Sequence, residues 1–132
     1  MIISFYTGIL ALIYVALSFY VIKGRLINRV SLGDNNNPDM QKRVRVHGNF
    51  AEYVPLAVFM IFLTEVLMAE TLSYANIIIH ILGVMLLVGR VSHVWGIMNK
   101  EGSSLARAGG VILTFLVLII TALYNIGFYL FA

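Results

Sequence analysis

The chain has 132 residues, a formal net charge of +3, and a composition that is 61% hydrophobic and only 11% charged. Soluble domains carry about 25% charged residues, and a chain this short cannot hide so much apolar surface, so a soluble globule is excluded and lipid is the natural solvent. The lack of cysteine excludes disulfides, thiolate metal sites and a cysteine nucleophile, and the basic residues form no stripe with interleaved aromatics of the kind that binds nucleic acid.

The first apolar stretch covers residues 2–22. It has no basic leader and no small-residue cleavage site after it, and its apolar run is too long for a signal peptide, so a retained spanning helix is expected. The connection after it, KGRLINRVSLGDNNNPDMQKRVRV, is long and polar. Its GDNNNPD core is turn chemistry: Gly33 and the asparagines tolerate positive φ, and Pro38 fixes its own. A second helix is expected over residues 40–68, its first turns preceding an apolar part at 51–68. The short second connection, TEVLMAETLS, holds Glu65 and Glu70 and no cation. A third helix is expected over 74–98, a turn around Gly102, and a fourth helix over 106–131. Each apolar stretch approaches the ~20 residues that cross a hydrocarbon core. Backbone in lipid must satisfy its own hydrogen bonds, which makes these stretches helices; the alternating segments of a membrane barrel are absent. The expected architecture is an all-α integral membrane protein, a four-transmembrane-helix bundle forming a single domain over residues 1–132.

The nine basic residues are Lys23, Arg25, Arg29, Lys42, Arg43, Arg45, Arg90, Lys100 and Arg107. With four spans, the first and third connections share a side, and all nine lie on or toward it. The positive-inside rule makes that side cytoplasmic and puts both termini on the other.

Several charges lie too deep in the helices to serve topology alone. Arg45, Asn49 and Glu52 are spaced by four and three and share one helical face, with Tyr53 beside it. Together they offer a guanidinium fork, an amide, a carboxylate and a phenol, which suits a polar zwitterion. The alternative is internal: Arg45 pairs with Glu52 or a neighbouring helix and only holds the bundle. Ionisable groups at membrane depth point to function by default. Pro55 cannot donate to the carbonyl of Ala51; it is either a tolerated membrane proline or a kink that opens a cavity beside the polar face. On the third helix Arg90 and His93 share a face, and Arg90 either snorkels or pairs with Glu52. Trp95 reads as an interfacial anchor, and His80 as a packing or interhelical hydrogen-bonding residue. No histidine pair has the spacing of a zinc site, so no metal is assigned. Ser103 or Ser104 caps the fourth helix, Arg107 lies in its first turn, and Ala106 and Gly110 form a small-residue pair for close helix packing.

These residues resemble the MAPEG family, the membrane-associated proteins of eicosanoid and glutathione metabolism. R-x-H-G-N-x-x-E-Y-x-P, from Arg45 to Pro55, looks like the family signature on the second helix. L-x-G-R-x-x-H, from Leu87 to His93, and an arginine opening the fourth helix, Arg107, are similar to further family features. The resemblance spans essentially the whole chain and is nearest to small bacterial-type members, similar to microsomal glutathione transferase. Some eicosanoid-making members have a tyrosine where this chain has Ile97. The resemblance implies a homotrimer in which glutathione, as co-substrate, binds between subunits. By position, Arg45, Asn49, Glu52, Tyr53, Arg90 and His93 would hold glutathione, with Arg25 a less secure match. Arg107 would activate the thiol toward a hydrophobic small-molecule electrophile from the membrane. Two other readings remain: a family member that binds a thiol or lipid metabolite without catalysis, and a small multidrug transporter. Such transporters resemble one another in a membrane-embedded glutamate on the first helix, where this chain has no charge from residue 2 to residue 22.

Overall fold

Hydrophobic runs of this length fold as helices, and the computed structural model, which describes residues 1–69, 74–99 and 104–131, contains four. They are α1 (Ile3–Asn28), α2 (Pro38–Ala69), α3 (Ala75–Asn99) and α4 (Leu105–Phe131). All four are long and apolar enough to cross a membrane, and the chain is a multi-pass integral membrane protein. Glu70, Lys100, Gly102 and Ser103, singled out in the sequence, lie outside the described residues.

The largest departure from the expected bounds is in α1. The apolar run stops at residue 22, but the helix continues to Asn28, because nothing in the polar segment breaks it. It ends where Arg29 turns left-handed (φ 54°, ψ 43°), and Val30 N–H reaches back to the Arg25 carbonyl at 3.1 Å. The turn residues behave as their chemistry dictates: Gly33, Asn35 and Asn36 all have positive φ. Asn37 then caps α2, its Oδ1 accepting from Met40 N–H at 3.1 Å, with Pro38 at the first helical position. Arg43 ties this region to α1. It donates from Nε to Asp39 and from Nη1 to the Tyr20 carbonyl, both at 2.8 Å, and its guanidinium lies 4.0 Å from the centre of the Tyr20 ring. Gly24 makes room for that side chain.

Among the described residues α1 packs on α2 and α3, α4 packs on α2 and α3, and α1 and α4 do not meet. The core therefore runs along α2 and α3, through Val46, Phe50, Ala57, Ile61, Ile79 and Leu86, with Leu10 of α1 and Val117 of α4 closing it. α3 and α4 approach most closely at two glycines. A Cβ on Gly110 would strike the Gly89 carbonyl and the His93 backbone, so the Ala106–Gly110 pair serves packing within the chain.

The far end of the bundle is fastened by polar groups. Glu65, which the sequence reading placed both within the expected helix 40–68 and in the connection that follows, lies inside α2. Its carboxylate accepts from Ile2 N–H and, at 3.0 Å, from Ile3 N–H, an anion on the positive end of α1. Tyr6 and His80 join α1 to α3 through a 2.9 Å hydrogen bond, as expected for His80. Thr64 donates to Asn125 Oδ1 at 3.0 Å.

Candidate functional site

The other end of the bundle gathers the chemistry. Arg90 projects from α3 toward α2 and is only 1% exposed. It neither snorkels nor pairs with Glu52: its Nη1 donates to Asn49 Oδ1 at 3.2 Å, and its guanidinium carbon lies 5.8 Å from the Tyr53 ring centre. A guanidinium this deep cannot reach water, so the polar atoms of the neighbouring turn of α2 come to it. Its Nε and Nη2 are buried with no hydrogen-bond partner among the described residues. These two atoms share one edge of the planar group, the edge that takes a carboxylate by two parallel bonds.

One turn along α3, His93 is 4% exposed. Its Nδ1 lies 3.1 Å from the backbone carbonyl of Arg107. A carbonyl only accepts, so Nδ1 carries a proton, and in its neutral form the ring presents a lone pair at Nε2. That Nε2 is buried and has no partner.

α4 delivers Arg107 on its first turn. Ser104 caps that helix, its Oγ accepting from Arg107 N–H at 3.2 Å, and Ser92 Oγ donates to the Ala106 carbonyl at 2.9 Å. The half-buried Arg107 lines a groove of about 350 Å³ whose other walls are Ser104, Ala108, Val111 and Ile112. A single cation there faces a mostly apolar surface.

Arg45 and Glu52 pair with each other at 3.6 Å, with side chains 60% and 52% exposed. The internal pairing considered from the sequence is thus present, but an ion pair so exposed is worth little and readily exchanges partners. The two residues border a polar groove of about 400 Å³ with Asp34, Gln41, Val44 and Gly48. Asn49, on the same helical face by spacing, is 6% exposed and committed to Arg90; that face divides into a buried edge toward α3 and an open edge. Arg25 stands apart from the cluster and donates to the Gly33 carbonyl at 3.0 Å. Pro55 lines hollows on the side of α2 that faces α1. The hollow beside it, about 220 Å³ and lined by Thr7, Leu10, Tyr14, Phe50 and Val54 among others, lies against α1.

The MAPEG family model matches residues 3–127. Two relatives, the inner membrane protein YecN of Escherichia coli strain K12 and that of E. coli O6:H1 strain CFT073, are each 31% identical over 128 residues, which covers 97% of this chain and 92% of theirs. The chain belongs to the MAPEG family.

In this MAPEG protein the signature segment of α2 faces two ways. Asn49 and Tyr53 meet Arg90 in the interior, while Arg45 and Glu52 stay at the surface. Three elements thus bring Asn49, Tyr53, Arg90, His93 and the Arg107 backbone together, and Arg45 stays exposed at the rim, paired with Glu52. Chemically the arrangement suits an anion that also carries a hydrogen-bond donor. The sequence reading offered Ser104 as a cap of the fourth helix, which it is, but missed its reach to the Gly96 carbonyl at 3.5 Å and missed Ser92 altogether, the two hydroxyls that tie α3 to α4 around His93. The one available signal was that both serines fall beside the Arg90–His93 and Arg107 motifs.

Proposed function

We propose that this MAPEG protein is a membrane-bound glutathione transferase or peroxidase, acting as a homotrimer on hydrophobic electrophiles, with the cationic end of the bundle in the cytoplasm. The observation that carries the reading is the free Nε–Nη2 edge of Arg90. A buried guanidinium with two unpaired donors is costly, and a ligand carboxylate relieves that cost. Arg107 supports the catalytic half of the reading. A cysteine thiol has a pKa near ~8.5 and is mostly protonated at neutral pH. A guanidinium beside it, at the positive end of α4, favours the thiolate. The apolar walls around Arg107 suit a lipophilic electrophile such as an aryl halide: the sulfur forms the new C–S bond as the carbon–halogen bond breaks, the halide leaves to solvent, and the thiol proton passes to solvent. Arg45 and Glu52 are placed for the zwitterionic end of glutathione, Glu52 for the ammonium and Arg45 for the carboxylate.

The direct test is thermal unfolding of detergent-purified protein with and without glutathione, followed by conjugation of a model aryl halide. Stabilisation that saturates, together with conjugation above the solution rate, is the expected result. Stabilisation without turnover would make the protein a thiol-binding member without catalysis. Neither effect would remove the glutathione reading.

A further inference from the structure

We infer that the last turns of α1 and the segment after them form a binding surface for an anionic phospholipid, with Lys23 and Arg29 on the phosphate headgroup and the exposed apolar face of α1 along the acyl chains. The inference does not depend on the glutathione reading. It begins with length. α1 has 26 residues and so extends about 39 Å, while a hydrocarbon core is about 30 Å thick. The apolar run ends at Ile22, so the turns from Lys23 to Asn28 stand in the headgroup layer.

Those turns are not wholly polar. Leu26, Ile27 and, past the helix, Leu32 are between 63% and 87% exposed. Apolar side chains held open at this level are costly in water and favourable in the lipid interface. Lys23 precedes Leu26 and Ile27 by three and four residues and shares their helical face. Arg29 follows Leu26 by three residues. Phe19 and Leu12, four and eleven residues before Lys23, continue the same face toward the bilayer centre and are exposed as well. One face of one helix thus offers a greasy track with two cations at its end.

Charge decides the headgroup. Lys23 and Arg29 are exposed and have no ion-pair partner among the described residues. The aspartates of the following segment are committed elsewhere: Asp39 accepts from Arg43 at 2.8 Å and from Asn28 at 3.0 Å, and Asp34 accepts from the backbone N–H of Asn36 at 2.9 Å. The surface is therefore cationic without local compensation. A guanidinium fork and an ammonium both match a phosphodiester. A zwitterionic lipid carries its own cation to the same place and is repelled by the pair, so the occupant is a lipid of net negative charge.

Titration of phosphatidylglycerol and of phosphatidylcholine into the detergent-purified protein, read by native mass spectrometry at low salt, tests this. Each basic residue near an anionic lipid is worth about fivefold in affinity, so wild type is expected to prefer phosphatidylglycerol by up to about twenty-fivefold. Lys23→Gln with Arg29→Gln should abolish the preference, and Lys23→Arg should keep it. Both side chains are exposed, so unfolding temperatures in neutral detergent should stay at the wild-type value; if the double variant does not fold, Lys23→Gln alone carries the test through a fivefold loss. Leu26→Ser with Ile27→Ser should weaken both lipids and leave their ratio unchanged. Glycerophosphoglycerol, the same headgroup without acyl chains, should not compete. Equal wild-type affinity for the two lipids would overturn the inference. So would a preference that survives in the folded glutamine variants, which would place the anionic lipid elsewhere, or full competition by the deacylated headgroup, which would make the surface a site for soluble anions.

Discussion

At the scale of single residues, Arg107 and Glu52 separate chemistry from binding. Arg107→Ala is expected to leave glutathione affinity within a few-fold and to slow conjugation at neutral pH, with the loss shrinking as pH rises because the thiol then ionises unaided. One pKa unit is about 1.4 kcal/mol, so a thiol pKa lowered by about two units corresponds to up to a hundredfold more thiolate. The measured loss is expected to be smaller, since a less basic thiolate is a weaker nucleophile. A rate–pH profile of wild type and variant checks this; a pH-independent loss would reduce Arg107 to a structural role. Glu52→Gln should weaken glutathione binding by about 1 kcal/mol, near the scale of an exposed ion pair, because Glu52 is half exposed. Calorimetry with unfolding temperatures alongside distinguishes lost binding from lost fold. The spacing of Arg45, Asn49 and Glu52 was readable in the sequence, and so was the alternative that Arg45 pairs with Glu52. The partner of Arg90 was not. Periodicity says which residues share a face, but Asn49 and Glu52 lie within one face, and only the position of α3 decides that the amide and not the carboxylate meets the guanidinium.

At the scale of helices, the glycine contact between α3 and α4 sets the position of His93. Gly110→Val forces a side chain into the Gly89 carbonyl and the His93 backbone. Overpacking of this kind costs about 1–3 kcal/mol, and the variant is expected to unfold at lower temperature in detergent and to lose glutathione stabilisation. Gly8→Ala is the control: a Cβ at Gly8 meets nothing within 4 Å and alanine is the better helix former, so its unfolding temperature should stay at or rise slightly above the wild-type value. Four helices were legible because apolar runs of spanning length leave the backbone no other way to satisfy its bonds. The start of α2 was legible to within two residues, from the turn chemistry that ends at Pro38; the cap by Asn37 was not singled out. The extension of α1 to Asn28 was not, because polar residues without a breaker suit helix and loop alike, and the tie between Arg43 and the Tyr20 carbonyl exists only once α2 has folded back. The role of Glu65 was not legible for the related reason that its partners, the backbone N–H groups of Ile2 and Ile3, are remote in sequence.

At the scale of the whole molecule, the described cations collect at the end of the bundle that carries the Arg90–His93 cluster, and Glu65 lies at the other. A fusion of alkaline phosphatase to the C-terminus should be active and a fluorescent-protein fusion dark; the reverse would invert the orientation. Native mass spectrometry from detergent should show three chains. The Ala106–Gly110 pair does not bear on that count, since Gly110 packs against α3 of its own chain. The assembly prediction rests on family membership and on the buried edge of Arg90 and Nε2 of His93, which have no partner among the described residues of one subunit. The central claim is that the assembled protein turns glutathione into a bound thiolate. Ultraviolet thiolate absorbance, followed as glutathione is titrated into the purified protein at neutral pH, measures that directly. A saturable signal approaching one thiolate per binding site, well above that of free glutathione at the same pH, is the predicted result. Absorbance equal to that of free glutathione at every concentration would contradict the account.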